Sequence, residues 1–163
     1  MLKQPELFEN GFYLTGLSLA PEVKEWVLRK EWNLIDHYFK VQTLPGGSIF
    51  QKLLEFHDFD RIETMISIRE ALNEWEEDGI WHDDGSRVFA FSLSLNMESH
   101  AIGGGTLELR RKNDRNVSSI PTPGFGTAIL FLTGIHGFEH RTRKVETGTR
   151  IMLVGWCSRF VDQ

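Results

Sequence analysis

Three short pieces of the chain carry side chains that could act together on a metal. They are Trp81-His82-Asp83-Asp84-Gly85, Phe138-Glu139-His140 and Gly148-Thr149-Arg150. Two imidazoles and one carboxylate on one face of an ion leave three coordination positions open, the donor set of mononuclear non-haem Fe(II) sites. His-x-Asp occurs once, at His82. On a strand, residues i and i+2 point the same way, so His82 and Asp84 can reach one metal while Asp83 faces away. The third ligand must come from a segment distant in sequence, and His136 and His140 are the candidates. His140 is preferred because Arg150 follows it at a spacing suited to two neighbouring strands that share a site. Arg150 heads the apolar run Ile151-Met152-Leu153-Val154, which favours a buried guanidinium. A buried charge needs a partner, and a bound carboxylate can supply one in bidentate form.

Each residue alone has an ordinary structural reading. His82 could end a strand, with the Asp after it capping a turn. A lone histidine can equally be a satisfied core side chain, and a lone arginine is usually at the surface. It is the combination of His82, Asp84, His140 and Arg150 that points to chemistry.

The elements that must hold these residues differ between the two halves of the chain. Gly11 to Leu17 reads as a short strand, and Pro21 opens a helix that places Val23, Trp26 and Val27 on one face. From Asn33 to Val41 the apolar positions alternate, which predicts a strand. Ser48 with Gln51, and Asp60 with Glu63, look like capping boxes that open two further helices, the second running to Gly79. Within it, Met65 to Ile68 is β-branched enough to be a strand instead. Beyond Gly79, short β-rich runs at 80–83, 88–96, 105–110, 127–132 and 150–156 alternate with Gly, Pro and Asn turns. That spacing suggests a sandwich or jelly roll, and helices followed by strands suggest α+β layering with the helices on one sheet. Arg110 to Ser119 is a polar loop whose basic residues, Arg110, Arg111, Lys112 and Arg115, read as solvated.

The 163 residues suit one domain spanning 1–163, with 1–80 as mainly helical support and 81–157 as the β core. A formal net charge of -5 argues against nucleic acid as the main partner. The single cysteine, Cys157, excludes an intramolecular disulfide and suits a reducing cytoplasm. No leader-like segment opens the chain, and no apolar run approaches the roughly 20 residues of a membrane span, so a membrane is not expected as a partner.

From Trp81 to Trp156 the sequence resembles the prolyl-hydroxylase-like branch of the Fe(II)/2-oxoglutarate-dependent dioxygenases. Four pieces carry the resemblance: His82-Asp83-Asp84; Ser92-Leu93-Ser94-Leu95-Asn96; Gly104-Gly105-Thr106-Leu107-Glu108-Leu109; and His140 through Gly148-Thr149-Arg150 to Trp156. The resemblance implies a double-stranded β-helix core, Fe(II) held by His82, Asp84 and His140, and 2-oxoglutarate held through its distal carboxylate by Arg150. It implies Trp156 at the border of the site. Leu93, Leu95, Leu107 and Leu153 are the candidate pocket walls, with Leu107 the one assigned to the co-substrate. Animal enzymes of the oxygen-sensing type carry a Tyr where this chain has Ser94, a shorter group beside the co-substrate. Some other branches place a Ser two residues after the Arg, where this chain has Met152. The implied reaction consumes 2-oxoglutarate and O2, releases succinate and CO2, and hydroxylates a substrate; ascorbate is a further candidate as reductant. A peptide or protein side chain, proline first, is the expected substrate. A free amino acid or small metabolite is the alternative, and a non-catalytic β-sandwich binding module the third reading.

Overall fold

The computed structural model describes residues 3–75 and 77–160. In chain order the elements are α1 (Pro5–Asn10), β1 (Phe12–Gly16), α2 (Glu22–Leu28), α3 (Trp32–Gln42), α4 (Ser48–Leu53), β2 (Arg61–Glu70), β3 (Phe89–Ser94), β4 (Gly103–Gly104), β5 (Leu107–Arg111), β6 (Ser118–Ile120), β7 (Thr127–Leu132), β8 (Phe138–Thr142), β9 (Val145–Thr147) and β10 (Thr149–Ser158). The larger sheet has the order β1-β7-β3-β10-β2 and the smaller one β6-β5-β8, with β4 paired to β9 beside them. All the paired strands are antiparallel. This is the expected α+β architecture, a double-stranded β-helix with helices packed on one sheet.

Strand β3 shows why both layers exist. Every residue from Phe89 to Ser94 is buried, so both of its faces are covered. Phe89, Phe91 and Leu93 join one apolar cluster with Val23, Ile35, Phe39 and Leu53 from the helices. The alternate residues Ala90, Ser92 and Ser94 face the other sheet. On β10, Gly155 lies opposite Phe91, and a Cβ there would sit 2.2 Å from the Phe91 ring. The aromatic ring occupies the space a side chain would need.

Two elements depart from the sequence reading. The stretch Asn33 to Val41 is helix, not strand. Its buried residues are Ile35 and Phe39, whereas His37 and Val41 are exposed. A separation of four fits either period, and the bonded i,i+4 pair Lys40–Asp36 belongs to the helix. The helix expected after Asp60 is strand β2, paired with β10 along ten residues from Arg61↔Ser158 to Glu70↔Thr149. Its Ile62, Thr64, Ile66 and Ile68 suit a pleated surface. Asp60 caps no helix; its carboxylate accepts the Phe160 amide at 2.7 Å. With β1 and β2 both in the larger sheet, residues 1–80 supply strands as well as helices. Ser48 does open α4, but its hydroxyl donates to Gln42 Oε1 at 2.7 Å and no capping box forms.

Candidate active site

His82 belongs to no regular strand. An isolated antiparallel bridge holds it opposite His140, each amide donating to the other's carbonyl at 2.9 Å. Strand β8 carries His140 inward, paired with Leu109 of β5. His82 Nδ1 lies 3.0 Å from the Ile80 carbonyl, which assigns the proton to that nitrogen and leaves Nε2 free to ligate.

The chain then turns sharply. Asp84 has φ 62°, a left-handed conformation that Asp adopts more readily than bulkier residues. Asp83 points away, as expected, and fastens the turn. Its carboxylate accepts the Gly85 amide at 3.0 Å and pairs with Lys112, and its carbonyl accepts the Gly134 amide at 2.9 Å. A Cβ at Gly134 would stand 2.7 Å from the Asp83 carboxylate, so the approach needs glycine there.

The turn aims Asp84 between the two imidazoles. Its Oδ1 is 3.8 Å from His82 Nε2 and its Oδ2 is 3.4 Å from His140 Nε2. One donor atom from each residue lies within 4.8 Å of the others. Asp84 Oδ2 and His140 Nδ1 are buried with no hydrogen-bond partner among the described residues. Burial raises the Asp84 pKa, and burial followed by repulsion from His82 takes His140 down to about 3. Each group is thus penalised in its charged form by desolvation. A divalent cation between them would compensate the carboxylate and use the neutral imidazoles as they stand. The donor set therefore fits a metal with open positions.

His136, the other candidate, is taken by a different contact. Its Nε2 lies 2.8 Å from His57 Nε2, and the His57 ring in turn stacks against Phe8 and Phe89.

Two spaces meet at this cluster. An inner cavity of about 90 Å³ lies between the sheets, lined by Ser67, Arg69, Ser92, Leu107, His140 and Arg150 among others. An open cleft of about 850 Å³ is lined by Trp81, Asp83, Asp84, Arg87, Lys112 and Asn113 among others. Glu77, His82 and Trp156 line both. Trp81 stands at the cleft with guanidinium groups against its ring, Arg110 at 3.9 Å and Arg141 at 4.4 Å. Those arginines pair across β5 and β8 with Glu139 and Glu108.

Arg150 is 3% exposed. Its Nε donates to Thr122 Oγ1 at 3.1 Å, and Gly105 leaves room for its stem. It makes no ion pair with a carboxylate among the described residues. Burial, then the nearby Arg69, lowers its pKa to about 10, still well above neutrality. A charged guanidinium without an acidic partner in a cavity suits an anionic ligand.

Of the other expected positions, Leu107 and Trp156 line the cavity. Ser94 does not; its hydroxyl accepts the Asn96 side-chain amide at 3.0 Å. Leu93, Leu95 and Leu153 sit in the apolar core and wall no part of the cavity. Among the polar residues of the cavity that the sequence reading missed are Ser67, Arg69 and Ser92. Ser92 Oγ is buried with no hydrogen-bond partner among the described residues, and Ser92 lines the same cavity. Their signal was alternation on paired strands, legible only once β2 was known to be one.

Comparison with known proteins identifies the family and the fold. A family model described as the 2OG-Fe(II) oxygenase superfamily matches residues 57–158. A search of curated proteins found no significant match. Among solved structures, a prolyl-4-hydroxylase from Pseudomonas putida superposes with TM-score 0.65 at 19% identity, covering 99% of this chain and 96% of that one. A prolyl hydroxylase from Trichoplax adhaerens, in complex with a peptide fragment of the hypoxia-inducible-factor oxygen degradation domain, gives TM-score 0.59 at 16% identity over 97% and 87%. An iron- and α-ketoglutarate-dependent endoperoxidase gives 0.57 at 8% identity over 93% and 79%. At these identities the likeness is one of fold.

Proposed function

The chain belongs to the 2OG-Fe(II) oxygenase superfamily, and from that premise we propose that it hydroxylates a side chain presented by a peptide or protein, proline being the first candidate. It is an enzyme that uses Fe(II), 2-oxoglutarate and O2. Together these supply oxidative decarboxylation, with release of succinate and CO2, and the oxidising power to hydroxylate a C–H bond.

The proposed division of labour follows the geometry. His82, Asp84 and His140 hold the metal. Arg150 pairs with the distal carboxylate of 2-oxoglutarate in the inner cavity, which orients the 2-oxoacid end toward the histidines. Leu107 and the neighbouring apolar walls keep water from the reacting centre. Trp156, between cavity and cleft, borders both co-substrate and substrate.

The observation that carries the substrate reading is the open cleft, which meets the cavity at His82 and Trp156 and has both charge signs on its walls. An extended polypeptide fits an open, mixed-charge groove better than a small metabolite, which calls for enclosure. The likeness to two prolyl hydroxylases, one holding a peptide, supports the same reading. Succinate release is the test, measured over a panel of proline-containing peptides, free amino acids and small metabolites. Stimulation by a peptide above the uncoupled rate is expected. Stimulation by metabolites or amino acids alone would replace the proposal with the small-molecule alternative.

A further inference from the structure

The inner cavity contains a second guanidinium that the reaction as described leaves without a role. Arg69 on β2 lies directly opposite Arg150 on β10 in the antiparallel register. Residues in register put their side chains on one face, and Ser67, Arg69 and Arg150 all line the cavity. Arg69 Nη1 pairs with Asp78 at 2.6 Å, the two side chains being 12% and 13% exposed. The Trp75 ring lies 5.1 Å from its guanidinium carbon. Arg69 Nε is buried with no hydrogen-bond partner among the described residues. Two cations thus share the cavity; Asp78 pairs with one of them, and Glu77, an exposed residue that also borders the space, forms an ion pair with neither among the described residues.

We propose that Arg69 is a specificity-determining residue of the co-substrate pocket: with Arg150 it makes the pocket select 2-oxo acids that carry a second carboxylate. Two adjacent guanidinium groups repel each other in a desolvated space. One neighbouring carboxylate, Asp78, offsets half of that charge, and the far carboxylate of a dicarboxylate ligand offsets the rest. A 2-oxo monocarboxylic acid would reach the histidines equally well but leave one of the two positive charges uncompensated. The selectivity therefore arises from a penalty on the wrong ligand as well as an attraction for the right one. The proposal rests on the reading that places 2-oxoglutarate beside Arg150.

The bland reading is that Arg69 and Asp78 merely fasten the segment after β2 to the sheet. The two readings separate on the ratio of affinities for 2-oxoglutarate and 2-oxopentanoate, measured by calorimetry on Mn(II)-loaded protein. In Arg69→Met the ratio should fall about tenfold or more, the scale of one lost charged hydrogen bond. Arg69→Lys should recover part of it. Asp78→Asn should keep the ratio or raise it, because Arg69 is then freed. If the ratio is unmoved in Arg69→Met, or falls equally in Asp78→Asn, Arg69 is structural and the proposal is overturned. Should Arg69→Met fail to fold, the double variant Arg69→Met/Asp78→Asn, which orphans no carboxylate, carries the measurement. Loss of 2-oxoglutarate binding in Arg150→Met alone would leave the co-substrate reading intact while this proposal fell. Absence of 2-oxoglutarate binding by the wild-type chain would overturn both.

Discussion

His82 and His140 face each other across a two-hydrogen-bond bridge, their ring centroids 4.2 Å apart, although they lie 58 positions apart in sequence. The backbone sets the separation of the two imidazoles, and Asp84 is the side chain aimed between them. If these three hold the metal, replacing His82, Asp84 or His140 by Ala should weaken Mn(II) binding by more than about 100-fold, beyond what loss of an outer partner costs. Metal-dependent turnover of 2-oxoglutarate should vanish with it. His136→Ala should keep its metal. Retained turnover in Asp84→Ala, or metal loss in His136→Ala, would contradict the ligand set.

Arg150 should govern co-substrate binding rather than metal binding. Arg150→Ala leaves the distal carboxylate unpaired in a desolvated cavity, a loss on the order of 3 to 5 kcal/mol. The KM for 2-oxoglutarate is expected to rise steeply while Mn(II) affinity changes little. Parallel losses of both would mean that the substitution damages the fold.

The turn that holds Asp84 at φ 62° depends on its neighbour. Asp83 is tied to Gly85, Gly134 and Lys112. Asp83→Ala removes the side-chain ties but no ligand, so metal affinity should drop by about tenfold, as for other groups that orient ligands. Lys112→Met, which cuts only the exposed ion pair, should have a smaller effect. Equal metal affinity in Asp83→Ala and wild type would show that the backbone bridge suffices.

Acid should destabilise the protein through the His57–His136 pair. His57 Nδ1 lies 2.7 Å from the Asp58 carbonyl and so carries the proton, leaving Nε2 to accept from His136. Protonating His57 sets two donors against each other, while a proton added to His136 keeps the donated bond but charges a part-buried ring. Burial is the main cause that lowers both pKa values below the ordinary 6.5, with Arg159 adding repulsion. The unfolded chain then binds more protons than the native one near and below pH 6.5. Stability is therefore full above that pH and is lost as pH falls through it toward the lowered native values. Thermal unfolding should show Tm dropping from about pH 7.5 to about pH 5.5, and the double variant His57→Gln/His136→Gln should flatten the curve. The slope that remains belongs to His140, depressed in the same direction. An unaltered slope would remove the pair from the account.

The identities of the chemical groups were legible in the chain itself. His82, Asp84, His140 and Arg150 stood out because a ligand set and a buried cation need particular side chains at strand-compatible spacings, and these are local properties. The jelly-roll texture after Gly79 was legible for the same reason. Pairing decided the rest. The Ile35 and Phe39 positions satisfy helix and strand periods alike, and only the layer beneath α3 settles which forms. Strand β2 exists because β10 offers a ten-residue partner nearly eighty positions away. That same pairing brings Arg69 to Arg150, while on one face of β3 Ser92 borders the cavity and Ser94, two residues further along, meets Asn96. His136 and His140 differ by one turn of chain; His57, far off in sequence, engages the first. Such choices are set by which distant surfaces bury one another, an energy that no local window of residues contains.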